Sequence, residues 1–398
     1  MMPSMILPAP ARPRIESVDL LRGLVMVIMA LDHTRDYFGQ PLISPTNLAQ
    51  ATAALFFTRW ITNICAPVFF LLVGTGAALA LGKKTKSQLS RFLWTRGLWL
   101  IFLEIVVLRC FAWQFNFDFH LTMLVVIWAL GWAMITLAAL IYLPVPVITA
   151  FSVIMIATHN LLDRIPPAAL GKFLPLGLIL HRPGFLWQGP EHVIFVAYPL
   201  IPWVGVTALG FSLGRVFSWE AARRQKVLLR MGLVMCAAFL ALRWINYYGD
   251  PAPWSHQGSR LYTVLSFLNA NKYPPSLLFL LMTLGPAMLF LLAFERWPSA
   301  ASRPLLSYGR VPLFYYCLHV VLIHSLAVAI CYARYGHVHW MFQSPDVANY
   351  PVTPPPGWGF GLPMTYLLWA LVVIALYPVC RWFAALKQRR REPWLSYL

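Results

Sequence analysis

Charge is scarce in this chain. Only 11% of its 398 residues are Asp, Glu, Lys or Arg, where a soluble domain carries about 25%, so a water-soluble globule is excluded. Paired cysteines are missing as well. Cys65, Cys110, Cys236, Cys317, Cys331 and Cys380 lie far apart, with no C-x-x-C among them. Most fall in apolar runs and read as small buried hydrophobes, which sets aside a disulfide framework or a thiolate metal site. The apolar runs show no polar–apolar alternation, which excludes a β-barrel. There is no arginine-rich arm and no RNA-type aromatic motif, so the formal net charge of +18 does not point to nucleic acid. Met1–Ala11 is short, broken by proline and without a separate apolar core, so no cleavable signal is expected there.

What is present is apolar length. Hydrophobic residues make up 60% of the chain, and they recur in runs near 20 residues, the length a helix needs to cross a bilayer. The expectation is an all-α, polytopic integral membrane helix bundle forming a single domain over 1–398. Ten spans are expected at about 16–34, 56–82, 92–115, 119–142, 145–161, 191–214, 227–248, 276–294, 309–333 and 361–385. Basic residues cluster at alternate span ends. Eighteen, from Arg12 and Arg14 to Arg391, fall on one side, and seven fall on the other. That asymmetry predicts both termini in the cytoplasm of a bacterial inner-type membrane. The longer loops on the opposite side, about 162–190, 249–275 and 334–360, are rich in Pro, Gly and aromatics and are expected to be ordered lids.

Within the first span, Arg22 and His33 stand eleven positions apart. Eleven helical steps return to nearly the same face, with roughly 16 Å of rise between the two side chains. An Arg near the centre of a span costs about 2.5–3.5 kcal/mol on insertion scales, so a functional reason for it is expected. A cation and an imidazole on one stripe suit an acyl-coenzyme A lying along the bundle. Asp36, three positions after His33, could orient the imidazole; Asp32 points about 100° away. The bland reading is that Asp32, His33, Arg35 and Asp36 form a wet helix end. A second cluster holds Arg310, His319 and His324 in the ninth span. A third, Asn269-Ala-Asn-Lys-Tyr-Pro-Pro-Ser276, is either a helix start or a binding segment containing Lys272, Tyr273 and Ser276. Glu191 and His192 precede the sixth span as acid–base groups or as a charged cap. Arg96 reads as a phosphate ligand or as a snorkelling cation, and Glu104 as a partner for a basic residue on another helix. His337 and His339 lack companions, so no metal is expected.

The segments S17-V-D-L-L-R-G-L, N271-K-Y-P-P-S-L and L305-L-S-Y-G-R-V-P-L-F-Y-Y resemble bacterial members of the heparan-α-glucosaminide N-acetyltransferase catalytic-domain family, over about 14–385. The Arg22–His33 spacing also resembles the first-helix motif of membrane acyltransferases that modify envelope sugars. The resemblance implies a multi-helix enzyme that carries acetyl from cytoplasmic acetyl-coenzyme A to a sugar or glycan across the membrane. One departure stands. The family's lysosomal member places its catalytic His in the loop after the first span, and residues 37–55 here contain none. Either His33 takes that role or the chemistry differs.

The expected roles follow. Arg22, with Arg96 and Arg310, holds the donor phosphates, since Arg matches phosphate geometry. His33 is the general base on an acceptor hydroxyl or amine, oriented by Asp36 or Asp32, with His319 a further catalytic candidate. Glu191, Lys272, Tyr273 and Ser276 receive the acceptor. Direct attack and a covalent acetyl-His step remain open, as does homo-oligomerisation; membrane lipids are the expected surroundings. The rival readings are a transporter or flippase of a lipid-linked or glycan substrate, favoured by proline-broken spans, and a structural envelope protein, which leaves Arg22 and His33 unexplained.

Overall fold

The computed structural model describes residues 15–40, 43–297, 302–390 and 392–397. Met1–Ala11 and the flanking Arg12, Arg14 and Arg391 lie outside the described residues. The chain is mostly helical. In order, the elements are α1 (Glu16–Phe38), α2 (Ala53–Thr62), α3 (Cys65–Ala80) and α4 (Lys86–Phe102), which runs on as a π-helical stretch, Leu103–Trp113. Then come β1 (Leu121–Leu124), α5 (Val126–Leu140), α6 (Val145–Thr158), the short α7 (Pro167–Leu170) and α8 (Leu174–Leu180), β2 (Gly184–Gln188) and β3 (Val193–Val196). The remainder is α9 (Trp203–Gly214), α10 (Ala221–Ile245), α11 (Arg260–Leu268), α12 (Leu277–Arg296), α13 (Arg303–Gly309), α14 (Pro312–Tyr335) and α15 (Leu362–Arg389).

Among the described residues, six helical segments are long and apolar enough to cross a membrane: Ala53–Ala80, Val145–Arg164, Ala221–Ile245, Leu277–Arg296, Pro312–Tyr335 and Leu362–Arg389. The other expected spans fall short for separate physical reasons. Helix α1 carries Glu16, Asp19, Arg22, Asp32, Arg35 and Asp36. The α4 run carries Lys86, Arg91, Arg96, Glu104 and Arg109. Helices α5 and α9 have 15 and 12 residues, below the roughly 20 that a span requires.

The bundle is not purely helical, and the all-α expectation is corrected there. Residues 119–124 and 191–202 were expected inside spans, but Leu121–Leu124 and Val193–Val196 are strands. They belong to a three-stranded sheet of order β1-β3-β2, with β1 parallel and β2 antiparallel to β3. Val193-Ile-Phe-Val is a β-branched and aromatic run, followed by Pro199 and Pro202 before α9 begins. That pattern favours an extended strand and delays the start of the helix. The expected lids are ordered: 162–190 folds into α7, α8 and β2, and 249–275 contains α11.

Close backbone crossings hold the bundle. A Cβ on Gly74 would fall on the Thr207 carbonyl of α9, and one on Gly210 would fall on the Leu71 carbonyl of α3. Gly97 and Gly131 face each other across α4 and α5 in the same way. Small residues let membrane helices approach this closely, and dispersion contacts then replace the missing hydrophobic drive. Helix α1 is gripped by α13: Gly23 lies against the Leu305 carbonyl, and Gly309 against the Asp19 carbonyl. Two of the segments that carry the family resemblance, S-V-D-L-L-R-G and L-L-S-Y-G-R, therefore interlock.

Candidate active site

The site is built on the two ends of α1. At the first end, Arg22 Nη1 donates to Asp19 Oδ1 at 2.9 Å and to the Gly309 carbonyl at 3.1 Å, so the glycine crossing also fixes the guanidinium. Arg22 lines a cavity of about 300 Å³ between α1, α3, α4, α5 and α14. Arg96 of α4 and Lys387 of α15 line it too. Apart from these three cations and Tyr316, its lining side chains are apolar, among them Met26, Met29, Phe69, Leu93, Ile127 and Leu130. Arg310 does not line the cavity; its guanidinium stands 3.9 Å from Glu16 at the surface.

At the second end, His33 meets α14. Its Nδ1 is 2.6 Å from His319 Nε2, and the two rings stack at 4.9 Å and 11°. His319 Nδ1 lies 2.9 Å from the Tyr315 carbonyl, which can only accept. That contact puts the His319 proton on Nδ1 and leaves Nε2 with a lone pair. His33 must then donate from Nδ1, so its own Nε2 carries the free lone pair. The expected orientation by Asp36 or Asp32 is thereby corrected. Asp36 accepts from Arg35 at 2.7 Å, and Asp32 is held by Arg35 at 2.8 Å, Arg59 at 3.0 Å and Lys272 at 3.9 Å. Helical spacing put Asp36 within reach of the imidazole, but both carboxylates are held by cations instead.

The π-helical stretch sets the wall beside His33. Wider turns leave its last carbonyls open, and α1 and α14 occupy them. Tyr37 Oη donates to the Trp113 carbonyl at 2.8 Å, and His324 Nδ1 lies 3.0 Å from the Ala112 carbonyl. This docking places the Trp113 ring edge-on to His33 at 4.9 Å. Within the same stretch, Glu104 pairs with no basic residue among the described residues, against expectation. Its Oε2 accepts from the Ile127 amide at 2.9 Å, capping α5, whose own N-cap position offers no side-chain bond.

Tyr316 joins the two ends. It lines the cavity, and its ring stands edge-on to His33 at 5.9 Å. His33 itself does not line the cavity, and Tyr316 is a lining side chain that touches it.

The acceptor candidates separate. Lys272 and Tyr273 reach the His33 end: Lys272 faces Asp32, and Tyr273 packs on Tyr198 at 5.4 Å. Ser276 is a cap, accepting from the Phe279 amide at 3.0 Å and donating to Asp250 at 2.7 Å, so its hydroxyl is spent. Glu191 is exposed in the β2–β3 turn, where its carbonyl meets His120 Nδ1 at 2.8 Å. Arg59 and Arg243 were not singled out from the sequence. Arg243 is 1% exposed and donates to the carbonyls of Ala252, Ser266, Phe267 and Asn269, with Asp250 at 3.8 Å. It thus pins the segment carrying Lys272. The signal for both was an Arg inside an apolar run, the same signal that marks Arg22. Replacing Arg243 by Met strands four carbonyls, and breaking a buried charge network of this kind costs about 3–5 kcal/mol. A lowered Tm with unchanged affinity for a ligand of the Arg22 cavity is the expected result.

The family model described as Heparan-alpha-glucosaminide N-acetyltransferase, catalytic, matches residues 14–246, more than half of the chain. The chain belongs to this family. The matched stretch of this heparan-α-glucosaminide N-acetyltransferase family member includes Arg22, Asp32, His33, Arg59 and Arg96, and ends before Lys272, Tyr316 and His319. Membership places it among membrane acetyltransferases. No curated protein matches it.

Proposed function

We propose that this chain is a multi-span acetyltransferase with both termini in the cytoplasm of a bacterial inner membrane. It takes acetyl from cytoplasmic acetyl-coenzyme A and delivers it to a sugar or glycan on the far side. The observation that supports this is a cavity lined by three cations and by Tyr316, whose ring meets His33. Arg22, Arg96 and Lys387 suit the phosphates of the donor. The apolar walls suit a thin arm lying along α1, and His33 Nε2 is the general base for an acceptor hydroxyl or amine. The acceptor approaches beside Lys272 and Tyr273. Transfer requires the thioester to come up beside Tyr316, within reach of His33.

The test is donor binding followed by turnover. Arg22→Ala and Arg96→Ala are each expected to weaken acetyl-coenzyme A by roughly 10- to 100-fold, the worth of a charge-assisted phosphate contact at about 1.5–3 kcal/mol. Calorimetric titration of the purified protein measures it. Wild-type affinity in both variants would remove the cavity as the donor site. The apolar walls also suit a hydrocarbon chain under a phosphate, and this favours a second reading, a flippase or transporter of a lipid-linked substrate. Thermal stabilisation by coenzyme A and not by an isoprenoid phosphate selects the enzyme; the reverse selects the transporter.

A further inference from the structure

Tyr316 is 4% exposed, lines the cavity, and has a hydroxyl without a hydrogen-bond partner among the described residues. An unpaired buried hydroxyl costs about 1–3 kcal/mol, and a guest bringing an acceptor oxygen would remove that cost. The groups around it are already engaged. Glu104 caps α5, His319 lies between His33 and the Tyr315 carbonyl, and Asp32 is held by three cations. Tyr315 also has an unpartnered buried hydroxyl, but it does not line the cavity, and its ring stacks on His319 at 5.1 Å. Tyr316 alone of the two meets both the cavity and the imidazole pair, with its ring 5.9 Å from His33 and 5.5 Å from His319.

We infer that the Tyr316 hydroxyl is the oxyanion donor of the transfer, hydrogen-bonding the thioester carbonyl oxygen as charge develops on it. The inference rests on the acetyl-transfer reading above. The acceptor oxygen or nitrogen bonds to the carbonyl carbon and gives its proton to His33 Nε2. The π pair moves onto the carbonyl oxygen, where the Tyr316 O–H holds it. When that pair returns, the carbon–sulfur bond breaks, its electrons leave with sulfur, and the proton on His33 converts the thiolate to free thiol. A single oxyanion donor contributes about 10²–10³ to kcat.

Tyr316→Phe keeps the ring and removes the hydroxyl. Its kcat is expected to fall roughly 10²–10³-fold with KM for acetyl-coenzyme A unchanged. Its Tm should equal or exceed that of the wild type, because an unpaired polar group has gone. With carbonyl-labelled acetyl-coenzyme A bound, the infrared carbonyl stretch should lie lower in the wild type than in the variant. Thr207→Val, which removes another buried unpartnered hydroxyl, on α9 and outside the cavity lining, should keep the wild-type rate. A wild-type kcat in Tyr316→Phe, an unshifted stretch, or a fall in Tm each overturns the assignment. A wild-type protein that neither binds acetyl-coenzyme A nor transfers acetyl is a different failure: it ends the acetyl-transfer reading, and the Tyr316 role with it.

Discussion

Purified His33→Ala protein is expected to bind acetyl-coenzyme A as the wild type does and to transfer acetyl about 10²–10⁴-fold more slowly, the contribution of a positioned general base. The two halves of this result come from different parts of the site. Binding is spared because His33 does not line the cavity. Transfer is lost because His33 Nε2 carries the free lone pair of the imidazole pair; His319 Nε2 is already turned towards His33 Nδ1. Stopped turnover with intact titration enthalpy is the signature. Wild-type turnover would remove His33 from the reaction. Joint loss of binding and turnover would show that the substitution has disturbed the packing of Trp113 and Tyr316 rather than removed a base.

A second large effect, on stability, is expected at Gly309. The added methyl of Gly309→Ala would fall on the backbone carbonyl of Asp19, and the nearest other atoms are the Asp19 carbonyl carbon and the Gly23 amide nitrogen. A side chain in the way could rotate aside; these atoms belong to the helix itself. Overpacking costs about 1–3 kcal/mol where neighbours can adjust and more where they cannot, so a loss at or above the top of that range is expected. Helix α13 must separate from α1, and the Arg22 bond to the Gly309 carbonyl goes with it. The variant should show a lower Tm in detergent together with weakened donor binding. Gly76→Ala is the counter-case. Nothing lies within 4 Å of a Cβ placed there, and replacing a mid-helix Gly by Ala gains about 0.5–1 kcal/mol. Equal Tm values for the two variants would contradict the crossing.

Much of this architecture could be read from residue order. Scarce charge and repeated apolar runs called for a membrane bundle, and Arg22 stood out as a cation where lipid would penalise it. The structure places Arg22 and Arg96 on one cavity. Other expectations failed where local patterns meet distant partners. Helical spacing put Asp36 within reach of His33, but spacing along one helix cannot reveal that α14 delivers His319 to the same nitrogen. Glu104 was given a cationic partner because a buried carboxylate usually has one; the free amides at the start of α5 served instead. Arg59 and Arg243 carry the same signal as Arg22, an Arg inside an apolar run, and each ends in a dense network. The strands at 121–124 and 193–196 were hidden because short apolar runs look alike in strand and helix.

The grip of Arg243 reaches beyond stability. Its hydrogen bonds to the segment between α10 and α12 end on main-chain oxygens, at Ala252, Ser266, Phe267 and Asn269. A clasp on the backbone is indifferent to which amino acids the loop displays. Mutation can therefore rewrite the surface shown next to Lys272 while the contour of that surface persists; if the acceptor docks there as proposed, descendants of this scaffold can acquire new tastes in what they modify without having to reinvent the frame.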